Sequence, residues 1–415
     1  MGLYDFQQKI FDDTAHLNRV GYFLDMGLGK TYLGSAKAVQ LAATVNLLVC
    51  QKSKIADWIE HFERVERIPA FDLTGKKTLA AFLEADAQKV GVINYDLVFR
   101  RPELLHLRDF TLMLDESSLI QNSKAKRTKA ILKMKPSGVV LLSGTPTSGK
   151  YENLWSQCKL LGWDISERVY NECYVNWTTL DVRGMPIKVV DKKNPYKNVD
   201  RLKEKMREYG AVFLKTEEVH TLPEQTFIDI KVKETSQYRH FKKNKIIELD
   251  GQEFIGDTVL TERLYLRMLA GGYNPAKLEA LGDIMQSTND RLIIFYNFNI
   301  ELEAIKKCCE ELGREYSQVN GHQRDLTAYE TDSSSVTLVQ YQAGAKGLNL
   351  QKANKIVYFS PTVKCEDWQQ SIKRIHRIGQ VRPCFYYRLI CGIEAEVYKA
   401  LARGVDFTDY LFLED

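Results

Sequence analysis

The chain is 415 residues long, 44% hydrophobic and 27% charged, so it exceeds what one hydrophobic core usually serves, two or more domains are expected, and nothing argues for disorder. Lys and Arg number 58 against 54 Asp and Glu, so the net charge of +4 leaves nucleic-acid binding to be decided by local charge. No apolar run approaches the roughly 20 residues of a membrane-spanning helix, and the first residues lack the basic region and apolar core of a secretory signal.

A membrane is therefore excluded as a partner, and the chain reads as intracellular and cytoplasmic. The eight cysteines are scattered. The adjacent Cys308 and Cys309 lack the C-x-x-C spacing of metal knuckles, which points to buried free thiols in a reducing compartment.

Near the start, Leu3, Phe6, Ile10 and Phe11 fall on one helical stripe. Residues 20–24 form a short apolar strand leading into Asp25-Met26-Gly27-Leu28-Gly29-Lys30-Thr31, and an Ala- and Leu-rich helix follows over 31–41. Strand, loop and helix in this order describe a phosphate-binding loop. Gly27 and Gly29 reach backbone angles closed to other residues, so successive N–H groups can converge on phosphate oxygens at a helix N-terminus. Lys30 would reach the β- and γ-phosphates and the Thr31 hydroxyl would hold a magnesium ion, although Leu24 stands where the general pattern has its first glycine.

Buried-looking strands follow at 45–50, 90–94, 111–115 and 138–143, with helix-length stretches between them. That alternation implies a doubly wound parallel sheet covered by helices on both faces. The strand at 111–115 ends in Asp115-Glu116. Asp115 suits a metal-holding role, largely through water, and Glu116 would orient and polarise an attacking water, although in isolation such a pair caps a helix equally well. The clearest basic run is Lys124-Ala125-Lys126-Arg127-Thr128-Lys129, which alone is as readily a solvated helix face.

From 151 to 225 the alternation fades, which reads as a mainly helical insertion with loops. Residues 228–232 alternate like a strand, and helix-like material runs through Leu264, Leu266 and Met268. A second strand-and-helix series begins near Lys277, with strands at 292–296, 336–341, 355–360 and 385–390 and a helix at 301–312. The expected fold is α/β, with a first lobe at 1–150, its helical insertion at 151–225, an inter-lobe segment with a helical insertion of the second lobe at 226–276, and a second lobe at 277–415.

The order of these motifs resembles helicase superfamily two, and within it the Swi/Snf-type (Snf2-like) ATPases, over nearly the whole chain. Leu3-Tyr4-Asp5-Phe6-Gln7 resembles that family's adenine-recognition motif, with Gln7 as the contact to the base. The loop from Asp25 resembles its phosphate loop, including the non-glycine first position. Residues 49–58 resemble the motif whose loop lies near the DNA backbone, which marks Lys52 and Ser53. Ser143-Gly144-Thr145-Pro146 resembles the coupling element, which marks Thr145, and residues 341–350 resemble the fifth motif, which marks Gly347 for coupling and Asn349 for nucleic acid.

Residues 370–380, Gln-Ser-Ile-Lys-Arg-Ile-His-Arg-Ile-Gly-Gln, are the strongest match. Arg374 and Arg377, three apart and so expected on one helix face, would act as arginine fingers on the γ-phosphate. Lys124, Lys126 and Arg127 match a stretch near the DNA path. Leu222-Pro223, Gln237-Tyr238 and Asn274-Pro275-Ala276-Lys277-Leu278 resemble the inter-lobe segment and the re-entry into the second lobe. Two features depart from the pattern: Ser118 stands where many relatives carry His, and Ser360-Pro361-Thr362-Val363-Lys364 replaces a Trp-Asn-Pro element, with Trp368 displaced.

The resemblance implies two RecA-like doubly wound parallel-sheet lobes and a DNA-dependent ATPase that translocates on double-stranded DNA in a sequence-tolerant way. ATP and Mg2+ are the implied cofactors, with Gln7, Gly27, Gly29, Lys30 and Thr31 binding, Thr31 and Asp115 at the metal, and Lys30, Asp115, Glu116, Arg374 and Arg377 in catalysis. A monomer is expected, with other replication or repair proteins as further partners.

Two alternatives stand beside it. One is a strand-separating DNA or RNA helicase, whose splitting insertion 151–225 has room to hide. The other is a non-hydrolysing ATP-gated clamp or loader, against which the intact Lys30, Asp115, Glu116 and Arg377 argue. Because the chain starts at the adenine motif and stops shortly after the last strand, the expectation is a bare motor of the sort a bacterium or phage encodes.

Overall fold

The computed structural model describes residues 2–147, 150–182, 185–191, 193–341 and 348–407. They form two compact units, Met1–His220 and Thr221–Asp415. Among the described residues no helix is long and apolar enough to cross a membrane.

The first unit is built on β1 (Arg19–Leu24), β2 (Val45–Cys50), β3 (Ala70–Asp72), β4 (Lys89–Asn94), β5 (Phe110–Asp115) and β6 (Gly138–Leu142). After an antiparallel hairpin of β7 (Trp177–Val182) and β8 (Met185–Val190), β9 (Ala211–Leu214) completes its sheet. The order is β3-β4-β2-β5-β6-β1-β9, with every pairing parallel. Leu47, Val49, Leu112, Leu114, Val139 and Leu141 belong to one core cluster and are fully buried. Strands covered on both faces carry continuous apolar runs, which is why β2, β4, β5 and β6 stand out in the sequence.

The helix Lys30–Gln40 packs back onto the sheet at Gly34, where a Cβ would fall 2.8 Å from Leu142 Cδ1 and 2.9 Å from Met113 Cε. The stretch read as a mainly helical insertion contains the helices Trp155–Leu160, Glu167–Tyr174 and Val199–Glu208. It also contains the β7–β8 hairpin and, in β9, the strand that pairs with β1 through Gly21↔Ala211. Four of its aromatic residues pack together, Trp163 against Tyr170, Tyr174 and Tyr209.

The second unit contains β10 (Gln225–Lys231), a hairpin of β11 (Ile246–Leu249) and β12 (Gln252–Ile255), and then β13 (Leu292–Tyr296), β14 (Tyr316–Val319), β15 (Arg324–Asp325), β16 (Val336–Gln340), β17 (Lys355–Tyr358) and β18 (Cys384–Ile390). Its sheet runs β10-β18-β17-β13-β16-β14-β15 and is parallel except for the β14–β15 pair. Both units are thus the parallel-sheet lobes expected. One local expectation fails: the helix Cys365–Ile372 ends before the two arginines, and residues 373–379 follow as turns. Arg374 and Arg377 therefore do not share a helix face.

Candidate nucleotide site

In the first sheet β1, β6 and β5 are neighbours, so the loops after their C-terminal ends lie side by side. Ligands of open parallel sheets sit at these ends. The three loops carry Asp25 to Lys30, Ser143 to Pro146, and Asp115 to Ser118.

Gly27 and Gly29 have φ of 90° and 68°, and Gly29 caps the helix Lys30–Gln40. Other residues adopt this backbone only at about 1–2 kcal/mol. A side chain on Gly29 would also collide with Gln7, its Cβ lying 2.3 Å from Gln7 Nε2. Gln7 is 2% exposed; its Nε2 donates to the carbonyls of Leu28 at 2.8 Å and Gly29 at 3.1 Å, and its Oε1 accepts from Tyr4 N–H at 2.9 Å. The carboxamide expected to face a base is engaged on backbone and sets the shape of the loop.

Lys30 Nζ donates to the carbonyls of Leu24 at 2.8 Å and Asp25 at 3.1 Å. Gly144 keeps the space beside that ammonium clear, since its Cβ would lie 3.4 Å from Nζ. Thr31 is half-buried in the first turn of the helix. The loop is also anchored from the short turn just after β9: Asp25 Oδ2 accepts from Thr216 N at 3.1 Å and from Thr216 Oγ1 at 3.2 Å.

Asp115 Oδ2 accepts the indole N–H of Trp58 at 2.8 Å, and the Tyr95 hydroxyl donates to the Asp115 carbonyl at 2.8 Å. Burial pushes the Asp115 carboxyl above its ordinary value, while the Trp58 bond and the ammoniums of Lys30 and Lys54 pull it back. Glu116 holds a left-handed backbone, φ 54° and ψ 59°, a strained state that surrounding structure must impose. In the third loop Thr145 N donates to Ser143 Oγ at 3.1 Å, and Thr145 Oγ1 is buried without a hydrogen-bond partner among the described residues. The sequence motifs do not mark Trp58 or Tyr95 as site residues. Trp58 closes the motif at 49–58, but a Trp at an apolar helix position reads first as core.

The residues of the first unit marked for nucleic acid follow β2 and β5. Lys52 and Ser53 are exposed on the short turn Lys52–Lys54, and Lys54 pairs with Asp57 at 2.6 Å. Lys124 and Lys126 are exposed, whereas Arg127 is partly buried and lies 3.5 Å from Asp96.

In the second unit Arg374 is 2% exposed and its guanidinium donates to the Leu348 carbonyl at 2.9 Å, while Leu350 N donates to the Arg374 carbonyl at 3.3 Å. Arg374 thereby braces the backbone around the exposed Asn349. Arg377 is less buried, and desolvation lowers its pKa from the ordinary arginine value. His376 Nε2 meets the Pro223 carbonyl at 2.9 Å, which ties the start of this unit to the arginine turn. Gly347 lies outside the described residues.

An ammonium, a turn of positive-φ glycines at a helix N-terminus, a hydroxyl and two carboxylates on adjoining loops form a donor set that fits a nucleoside triphosphate with a divalent cation.

Comparison with known proteins places the chain in a family. Residues 21–272 match the SNF2-related domain and residues 276–379 the Helicase conserved C-terminal domain. The chain is similar to the SWI/SNF-related matrix-associated actin-dependent regulator of chromatin subfamily A member 1 of Mus musculus, at 24% identity over 424 residues, covering 88% of this chain and 38% of that protein. It is also similar to an uncharacterized ATP-dependent helicase of Mycoplasma pneumoniae, at 24% identity over 452 residues, covering 96% of this chain and 42% of that protein. The chain thus spans about two-fifths of the length of these relatives. Among solved structures, the Sulfolobus solfataricus SWI2/SNF2 ATPase core in complex with dsDNA superposes with a TM-score of 0.48 at 19% identity, over 97% of this chain and 91% of that one. With more than half of its length inside the family model, and with the phosphate loop, the acidic pair and the Gly-Thr-Pro turn on neighbouring strands, the chain belongs to the SNF2-related domain family.

Proposed function

We propose that the chain is an ATP hydrolase that translocates on double-stranded DNA. The observation that carries this reading is the adjacency of β1, β6 and β5, whose loops hold Lys30, Gly144 and the Asp115-Glu116 pair. With ATP as substrate, Lys30 exchanges the carbonyls of Leu24 and Asp25 for phosphate oxygens, and the N–H groups of the Gly27–Gly29 turn bind the same phosphates. Thr31 and Asp115 would hold a magnesium ion, which would supply charge neutralisation at the phosphates. Glu116 orients the attacking water and takes its proton, and Arg377 answers the charge that builds on the γ-phosphate.

Lys52, Ser53, Lys124, Lys126 and Asn349 are exposed and are proposed to touch the phosphate backbone, Arg127 only after release from Asp96. Such contacts make binding sequence-tolerant and salt-sensitive. The proposal takes support from the names of the relatives, which describe a regulator of chromatin and an uncharacterized ATP-dependent helicase.

The test is steady-state ATP hydrolysis without nucleic acid, with single-stranded DNA, with double-stranded DNA and with RNA, at one stated salt concentration. Stimulation by the duplex alone is expected. Stimulation by single strands or RNA would replace the translocase with a strand-separating helicase, and ATP binding without turnover would leave an ATP-gated clamp.

A further inference from the structure

Gln157 sits on the helix Trp155–Leu160 and is fully buried, as is Ser117. The Pro146 carbonyl can only accept, so the Gln157 amide nitrogen faces it, donating at 2.8 Å. The amide oxygen then faces Ser117, whose hydroxyl donates to it at 2.8 Å. One carboxamide therefore joins the residue after Glu116 to the residue after Thr145. Ser118 makes no such link: its hydroxyl is buried without a hydrogen-bond partner among the described residues.

Resting on the ATPase reading above, we propose that Gln157 is a positioning residue for hydrolysis, fixing the turn that carries Glu116 to the Gly-Thr-Pro turn. The backbone of Glu116 is left-handed, and a non-glycine residue stays there only where its surroundings hold it. On one side the Tyr95 hydroxyl holds the Asp115 carbonyl; beyond Glu116 the Ser117–Gln157 bond holds the turn. Gln157 makes no hydrogen bond to the phosphate loop among its described bonds, so its loss relaxes the water-activating acid while Lys30 and the glycine turn keep their geometry. A buried network of this kind acts as a unit, so removing either end loses the same interaction.

The experiment compares the full chain with Gln157→Met, which keeps the volume, with Ser117→Ala, and with the double variant. DNA-stimulated turnover, KM for ATP and thermal melting are measured for each. The expected result is a kcat lower by roughly tenfold to a hundredfold with KM for ATP held, and a double variant no slower than the slower single one. Unchanged kcat, a change confined to KM, or multiplying losses in the double variant would overturn the inference. If Gln157→Met fails to fold, Ser117→Ala alone decides, by the same split of kcat and KM. A wild-type chain that does not hydrolyse ATP would overturn both readings, whereas active wild type with equally active variants overturns this one alone.

Discussion

Trp58 illustrates how one donor sets the chemistry of a buried acid. Its indole N–H is bonded to Asp115 Oδ2 at 2.8 Å, and it is the largest influence holding the carboxyl down against burial, ahead of Lys30 and Lys54. Only the ionised carboxylate can hold a cation, so the charged form is the working one. Trp58→Phe keeps a ring in place between His61 and Phe62 but removes the donor. The carboxyl then rises further, and the acid limb of the pH–rate profile is expected to move to higher pH. A profile that superposes on that of the wild type would deny Trp58 this role. Such a residue is hard to read from sequence because its ring is core and only one of its atoms is functional. Gln7 presents the reverse case, since the motif that names it says nothing of the carbonyls of Leu28 and Gly29 that occupy its amide.

The elements that were legible are those whose burial leaves a long apolar run. β2 and β13, at Val45–Cys50 and Leu292–Tyr296, coincide with the runs read from the sequence because helices cover both faces of the central strands. β3, β9 and β14 are three or four residues long, too short for a period to register. The turn at 373–379 imitates a helix in its spacing, but burial of Arg374 against the Leu348 carbonyl overrides that spacing. The helix Pro275–Gln286 carries a different constraint: Lys277 bonds both oxygens of Glu394, at 2.6 and 2.7 Å, and both side chains are fully buried. Burial pushes the Glu394 carboxyl up to about 7 although Lys277 pulls it down. The folded chain therefore binds more protons than the unfolded one between the ordinary value of 4.5 and about 7, so this carboxyl's contribution to stability falls as pH rises through that window and then levels. Lys277→Met removes the counter-charge and raises the carboxyl further. The variant should continue to lose stability above pH 7, by about 1.4 kcal/mol per pH unit relative to wild type. Urea midpoints at a series of pH values read this directly, and parallel curves for the two proteins would contradict it.

At the scale of the whole molecule, the marked residues fall unequally on the two units: the phosphate loop, both acids and the Gly-Thr-Pro turn lie in the first, and the two arginines proposed to act in hydrolysis lie in the second. The motif at 370–380 named two equivalent fingers, and the structure separates them by environment. Arg374 is 2% exposed and braces the Leu348 carbonyl, so its first duty is to the second unit itself. Arg374→Ala removes that donor from a buried carbonyl and leaves space beside it, which should cost about 1–3 kcal/mol of stability. Arg377 is less buried, and partial desolvation lowers its pKa from the ordinary arginine value. Arg377→Ala should melt with the wild type and bind ATP, yet hydrolyse it about a thousandfold more slowly, the scale of an arginine finger. Measuring melting, ATP binding and turnover on both variants separates the roles. If Arg377→Ala keeps its rate while Arg374→Ala loses rate without losing stability, the two assignments are reversed, and the brace at Leu348 has to give way when ATP is bound.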